Sequence, residues 1–325
     1  MYKQKAGLLI ATLTWLLFFN LGSADAAIPM EISLAGKRVL WLGDSITQAG
    51  DYVTFVQYFL DKNYPTDKFD IISIGLASET ASGLSEKAHP FPRPDVKERL
   101  QRALDLVKPA IVVACYGMND GIYHPQSADR MKAFQDGINK VIAACKAAHA
   151  QVILLTPPPF DKIMAHTLPI TAPDFSYMGP YEDYDSVLAD YAKWELSLSP
   201  RDALAIDLHQ PINDYLARQR VTDPHFSFTG EGIHPNPAGH LLMAEVILNG
   251  LGLSIHFDAD LNAELAKVQQ DPLYSLVKTQ RENRSNAWLP YVGYTRGAKV
   301  KSNSVNQDEK NNADMQIKID QARKP

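Results

Sequence analysis

Five short apolar runs, four of them followed by a stretch with helical periodicity before the next begins, constrain this chain more than any other feature of it. The runs are residues 38–42, 69–74, 110–114, 151–155 and 203–207. They are nearly continuous rather than alternating, as strands buried on both faces are, and the first ends at Gly43, where a turn must follow. Around and between them the pattern predicts helices over 53–60, 96–107, 133–148, 186–196 and 240–248, the second with Leu100, Leu104 and Val107 on one face. Alternating strands and helices imply an α/β fold: a three-layer α/β/α sandwich around a mostly parallel sheet of about five strands. In such a sheet, residues that handle ligands gather in the loops beyond the carboxyl ends of the strands.

Composition limits what those loops can serve. The 325 residues carry 32 Lys+Arg against 37 Asp+Glu, a formal charge of -5, so no basic excess points to nucleic acid. Two cysteines cannot build a disulfide framework and have no zinc-site spacing. Cys115 closes the third strand and Cys145 lies late in the next helix, so they are expected at opposite ends of the sheet as buried free thiols. Lys3 and Lys5 precede an apolar run over 8–21 and then Ala24, Asp25 and Ala26, the pattern of a cleavable secretory signal with cleavage after Ala26. The run is shorter than the ~20 residues of a membrane span, which disfavours an uncleaved anchor. The mature chain is expected outside the cytoplasm, periplasmic or secreted, with no stable membrane anchor.

Two regions break the alternation. Residues 157–185 form a connection rich in aromatics (Phe160, Phe175, Tyr177, Tyr181, Tyr184) and too long for an ordinary link; it is either a lid or substrate wall, or a packed surface insertion. Beyond a main domain over 27–256, a helical extension over 257–295 is expected to pack back through Leu273, Leu276 and Trp288. From 296 to 325 the chain is rich in Asn, Lys, Asp and Gln and reads as a mobile tail.

The chemistry-bearing residues fall at strand ends. Gly43, Asp44, Ser45 and Ile46 follow the first strand and place a serine hydroxyl on a turn entering a helix, close to backbone N–H donors. Each of these residues is also an ordinary turn or cap residue. Gly117, Met118, Asn119 and Asp120 follow the third strand, at the same edge. Glu231, Gly232, Ile233 and His234 put an acid three residues before a histidine, ahead of the last helix of the main domain; an imidazole serves as a base through one nitrogen when the other is held by an acceptor.

Taken together, in this order, these blocks resemble the SGNH (GDSL-type) hydrolases, over about 37–248. The resemblance implies a serine esterase: Ser45 the nucleophile, His234 the base and then the acid, Glu231 its orienting carboxylate, and the Ser45 N–H and the Asn119 side chain oxyanion donors. Two departures accompany it. The family usually has Asp where this chain has Glu231; the rivals for that role are Asp223 or a backbone carbonyl. In the block after the second strand, Ser78 stands where the family's oxyanion glycine is expected, with Gly75 the second choice. Ser78 can contribute a main-chain N–H if its backbone angles suit a residue with a Cβ.

No metal or organic cofactor is required. The implied substrate is an O-acetyl or short-acyl ester of a carbohydrate, a small molecule or a glycan. The alternatives are a lysophospholipase or thioesterase of the same family, and a non-catalytic module on the same fold that grips glycans through Tyr177, Tyr181 and Tyr184. The loop His89, Pro90, Phe91, Pro92, Arg93, Pro94 either lines the pocket or is a structural turn, and His240 reads as structural.

Overall fold

The computed structural model describes residues 32–257, 260–294 and 305–323. Five strands, β1 (Arg38–Gly43), β2 (Asp70–Ser73), β3 (Ile111–Cys115), β4 (Gln151–Leu155) and β5 (Leu204–Ile206), form one sheet in the order β2-β1-β3-β4-β5. Every pairing is parallel. All five lie on the predicted runs, and β3 is buried along its whole length. That continuous burial is why these strands read as unbroken apolar stretches.

The helices follow in chain order: α1 (Ser45–Ala49), α2 (Asp51–Asn63), α3 (Val96–Val107), α4 (Ala128–Ala147), α5 (Tyr184–Leu196), α6 (His209–Gln219), α7 (Pro237–Gly250), α8 (Leu261–Gln270), α9 (Pro272–Val292) and α10 (Asn306–Ala322). One group packs α2 against α7 and α9; the other packs α3 against α4, with α4 on β4 and α5 on β5. The three-layer α/β/α architecture is therefore the one expected from the alternation.

Caps explain where helices begin earlier than periodicity suggests. Ser127 Oγ accepts the Arg130 N–H at the start of α4, and Asn236 Oδ1 accepts the Gly239 N–H ahead of Pro237 at the start of α7. The expected helical extension is two helices, divided where Asp271 caps α9 and Pro272 opens it. Leu273 and Trp288 are buried as expected, but Leu276 is only half-buried and its neighbour Val277 is the fully buried anchor. Helix α6 is too polar for its apolar stripe to stand out in the sequence.

The mobile tail is corrected over residues 305–323, where α10 packs on α9. Its apolar face is thin, with Ile319 the buried residue of the helix, and polar contacts complete the docking. Arg323 pairs with buried Asp61 at 2.8 Å, while Glu309 accepts from Arg284 and, at 2.7 Å, from the Trp288 indole. Composition conceals such a helix because the ion pairs depend on partners more than two hundred residues away or on another helix. The signal-like segment lies outside the described residues, and no helix among the described residues is long and apolar enough to cross a membrane.

Strand order positions the site. From β1 the chain moves outward to β2 and then returns across β1 to β3, so the connections diverge between β1 and β3 and leave a crevice at their carboxyl ends. Ser45 follows β1 and Asn119 follows β3, placing both at that crevice.

Candidate active site

The turn after β1 is built for close approach. A Cβ on Gly43 would lie 2.1 Å from Thr47 Oγ1 and 2.7 Å from the Cys115 carbonyl, so only glycine lets α1 start directly on the strand. Asp44 caps α1 by accepting the Ile46 N–H at 2.9 Å. Ser45 is the first residue of α1, so its amide N–H has no acceptor within the helix.

The Ser45 hydroxyl lies 2.8 Å from His234 Nε2, and His234 Nδ1 lies 2.7 Å from Glu231 Oε1. An ionised carboxylate only accepts, so Nδ1 carries the proton and Nε2 is left to accept from Ser45. The additional methylene of Glu231 is accommodated by a tight turn. Oε1 also takes the His234 backbone N–H at 2.7 Å, Oε2 takes the Ile233 N–H at 3.0 Å, and Gly232 between them has φ +91°. The rival Asp223 is exposed and caps its own turn by accepting the His225 N–H, with no hydrogen bond to His234.

Electrostatics follow from this geometry. The hydrogen bond from His234 to Glu231 raises the imidazole above its ordinary 6.5 despite the opposing effect of burial. Burial tends to raise the Glu231 carboxyl, but the donors around it hold it below its usual range. Asp44 is pushed up to about 7, first by burial and then by Asp120 and Glu79, against the Ile46 N–H and His234.

In the loop after β2, Ser78 has φ +67°, the left-handed conformation that a glycine in that place would adopt freely. Gly75, the second choice for the oxyanion role, instead allows α1 to pack: a Cβ there would lie 2.2 Å from the Gln48 nitrogen. Asn119 is 4% exposed, and its Nδ2 points toward Asp44 Oδ2 at 3.4 Å and the Glu79 carbonyl at 3.3 Å. Its Oδ1 accepts from Arg93 Nη1 and from the Tyr123 hydroxyl, each at 2.9 Å. Asp120, beside it, joins the two loops: Oδ1 accepts the N–H groups of Ala81 and Ser82, and Oδ2 that of Gly117.

Sequence reading misses the buried support beneath this half of the site. Glu79 forms a bidentate pair with Arg99 at 2.6 Å and accepts from Tyr116, and Glu86 forms another with Arg93 at 2.6 Å. The density of prolines around Arg93 is the only sequence signal that marks the segment as rigid.

The long connection runs from one side of the site to the other. Asp161 donates its N–H to the Gly232 carbonyl in the turn of Glu231 and His234, and Tyr177 packs its ring 5.5 Å from His89, which in turn contacts Ser78 Oγ at 3.2 Å. Phe160, Phe175 and Tyr184 are buried, so the segment is packed, while Ile163, Met164, Ile170, Tyr177 and Met178 remain exposed on it. Cys115 and Cys145 are both buried and free. His240 is buried and stacked on Tyr52, with burial holding its imidazole down at about 4, a neutral structural residue. No group of three or more His, Cys, Asp or Glu among the described residues is arranged to hold a metal ion.

Residues 41–242 match the model of the GDSL-like Lipase/Acylhydrolase family. No curated protein sequence matches the chain. Among solved structures, BT4096, a gut microbial diltiazem-metabolizing enzyme, is similar at a TM-score of 0.52 and 19% identity, over 69% of this chain and 48% of that one; this chain thus matches about half the length of that protein. A mutant of Axe2, an acetyl-xylooligosaccharide esterase from a Geobacillus, is similar at a TM-score of 0.52 and 19% identity, over 70% of this chain and 100% of that one. Both are likenesses of fold. The family match covers well over half of the chain and includes the turn of Ser45, the Asn119 block and the His234 turn, so the chain belongs to the GDSL-like lipase/acylhydrolase family and is a carboxylic ester hydrolase.

Proposed function

We propose that this chain is an exported serine esterase that removes acetyl or other short acyl groups from a carbohydrate. The observation that carries the mechanism is the unbroken relay from the Ser45 hydroxyl through His234 to Glu231, at 2.8 and 2.7 Å. His234 Nε2 takes the Ser45 proton as Oγ attacks the ester carbonyl; the oxyanion is met by the N–H groups of Ser45 and Ser78 and by Asn119 Nδ2. The protonated imidazole then gives its proton to the leaving alcohol. Water, deprotonated by the same nitrogen, attacks the acyl-enzyme and releases the acid and Ser45.

The substrate reading rests on access. The side chains of His234 and Glu231 are 51% and 49% exposed, so the relay opens onto solvent and leaves room for a bulky alcohol such as a sugar chain. Export is supported by Lys3, Lys5, the apolar run and the small residues ending at Ala26. A second reading, a longer acyl chain on a lipid or thioester, is favoured by the exposed Ile163, Met164, Ile170 and Met178 on the connection beside the catalytic turn.

Hydrolysis of p-nitrophenyl esters from acetate to long acyl chains, together with acetate release from acetylated xylo-oligosaccharides, separates the two. Activity that falls as the acyl chain lengthens, with acetate released from the glycan, is the expected result. Activity that rises with chain length, without glycan deacetylation, replaces this reading with the second.

A further inference from the structure

The loop over 85–96 buries a cation directly behind the proposed oxyanion site. Arg93 is 6% exposed, and its Nε and Nη2 are held at 2.6 Å by the two oxygens of Glu86, whose side chain is fully buried. That bidentate pair fixes the plane of the guanidinium and leaves Nη1 to point away from Glu86. Nη1 donates to Asn119 Oδ1 at 2.9 Å and approaches the Ser78 carbonyl at 3.4 Å. One nitrogen thus reaches both residues that, besides Ser45, are proposed to hold the oxyanion.

We infer that Arg93, held by Glu86, is the positioning residue of the oxyanion hole, orienting the Asn119 amide and bracing Ser78 in its left-handed conformation; the inference rests on the oxyanion role proposed above for Asn119 and Ser78. An amide has two chemically opposite ends. With Oδ1 occupied by donors from Arg93 and Tyr123, the flipped orientation would set N–H groups against N–H and O–H donors, so Nδ2 is the end left to donate, and a substrate oxyanion takes it over from the long contacts to Asp44 and the Glu79 carbonyl. A cation on Oδ1 also draws electron density from the amide and strengthens Nδ2–H as a donor at the moment charge develops on the substrate oxygen. Ser78 lacks the conformational freedom of the family's glycine at this place, and the contact to its carbonyl supplies a restraint on its φ of +67°. The stiffness comes from Pro90, Pro92 and Pro94 around Arg93, and from the Tyr123 ring, whose centroid lies 5.4 Å from the guanidinium. Burial alone would raise the Glu86 carboxyl, but Arg93 holds it below its usual range, so the pair stays ionised while the enzyme works.

The test is a mutant cycle on the full chain with p-nitrophenyl acetate. Arg93→Met is made together with Glu86→Gln so that no buried charge is orphaned, and the pair is combined with Asn119→Ala. Asn119→Ala is expected to lower kcat about 10²–10³-fold; the Arg93/Glu86 pair about thirtyfold, with KM changed less than about threefold; and the pair only about three- to tenfold once Asn119 is already alanine, the remainder reporting the contact to Ser78. Where the paired variant does not fold, Arg93→Lys, which cannot hold Glu86 bidentately and still reach Asn119, is read through the same cycle with about a tenfold loss expected. An equal loss of kcat with and without Asn119, or an unchanged kcat where Asn119→Ala is damaging, overturns the role of Arg93 alone. An unchanged kcat in Asn119→Ala overturns the oxyanion assignment itself, and this inference with it.

Discussion

The two sides of Ser45 are held in opposite ways. His234 and Glu231 sit half-exposed on a short turn, fixed by hydrogen bonds within four consecutive residues. Ser78 and Asn119 stand over buried ion pairs, Arg93 with Glu86 and Arg99 with Glu79, and over Asp120, which accepts three backbone N–H groups. The side proposed to move protons needs an imidazole that can change charge, and water around it lowers the cost of that change. The side proposed to stabilise developing charge needs dipoles that do not reorganise, and burial makes them rigid and strong. Placing the ionised pairs on the rigid side keeps the stability of the fold largely independent of the relay.

That contrast can be broken by mutation. Glu231→Gln is expected to lower kcat about 10²–10⁴-fold, because the amide removes the charge and can present its NH₂ to the ring, yet to cost less than about 1 kcal/mol of stability at so exposed a site. Arg99→Met should do the reverse in emphasis: it orphans the Glu79 carboxylate in the core and is expected to destabilise the fold by about 3–5 kcal/mol. Denaturant unfolding and kcat measured on both variants check the pair. Large stability loss in Glu231→Gln, or none in Arg99→Met, would erase the distinction between the two sides.

A smaller effect sharpens it. The proposed mechanism needs His234 neutral, and its imidazole is raised above 6.5, so activity should rise with pH along a limb lying above 6.5. The sign for stability is opposite: the His234–Glu231 contact contributes fully at low pH, while Glu231 stays ionised, and fades as pH rises through the raised histidine value. Asp44, pushed up to about 7, interacts electrostatically with His234, so the limb carries a contribution from both groups. Glu231→Gln should move that limb of kcat/KM to lower pH; a limb that does not move would mean that Glu231 does not set the state of His234.

Much of this was legible in the sequence, and the reasons differ by region. The strands were readable because parallel strands buried on both faces are apolar nearly throughout: β3 is so along its whole length, and β1 and β4 are after their first residues, Arg38 and Gln151. Ser45 and Asn119 were readable as candidates because they follow β1 and β3 at one sheet edge, and the Glu231–His234 pair because an acid stands three residues before a histidine; the roles expected of them came from the order of the blocks, which resembles the SGNH hydrolases. Arg93, Glu86, Arg99 and Glu79 were not, since a charged residue looks solvated until the partner that buries it is known: Arg93 meets Glu86 within one folded loop, and Arg99 reaches Glu79 from α3. Helix α10 failed for the same reason on a larger scale: Arg323 finds Asp61, which is 262 positions away in the chain, and composition carries no trace of that pairing.

The central claim is that Ser45 is the nucleophile of this relay, and the most direct measurement is labelling of the full chain with a fluorophosphonate, mapped by mass spectrometry beside an activity assay of Ser45→Ala. The expected result is one equivalent of label on Ser45, activity lost in step with labelling, and neither label nor hydrolysis in the variant while it remains folded. Label on another residue, or hydrolysis retained by Ser45→Ala, would contradict the claim.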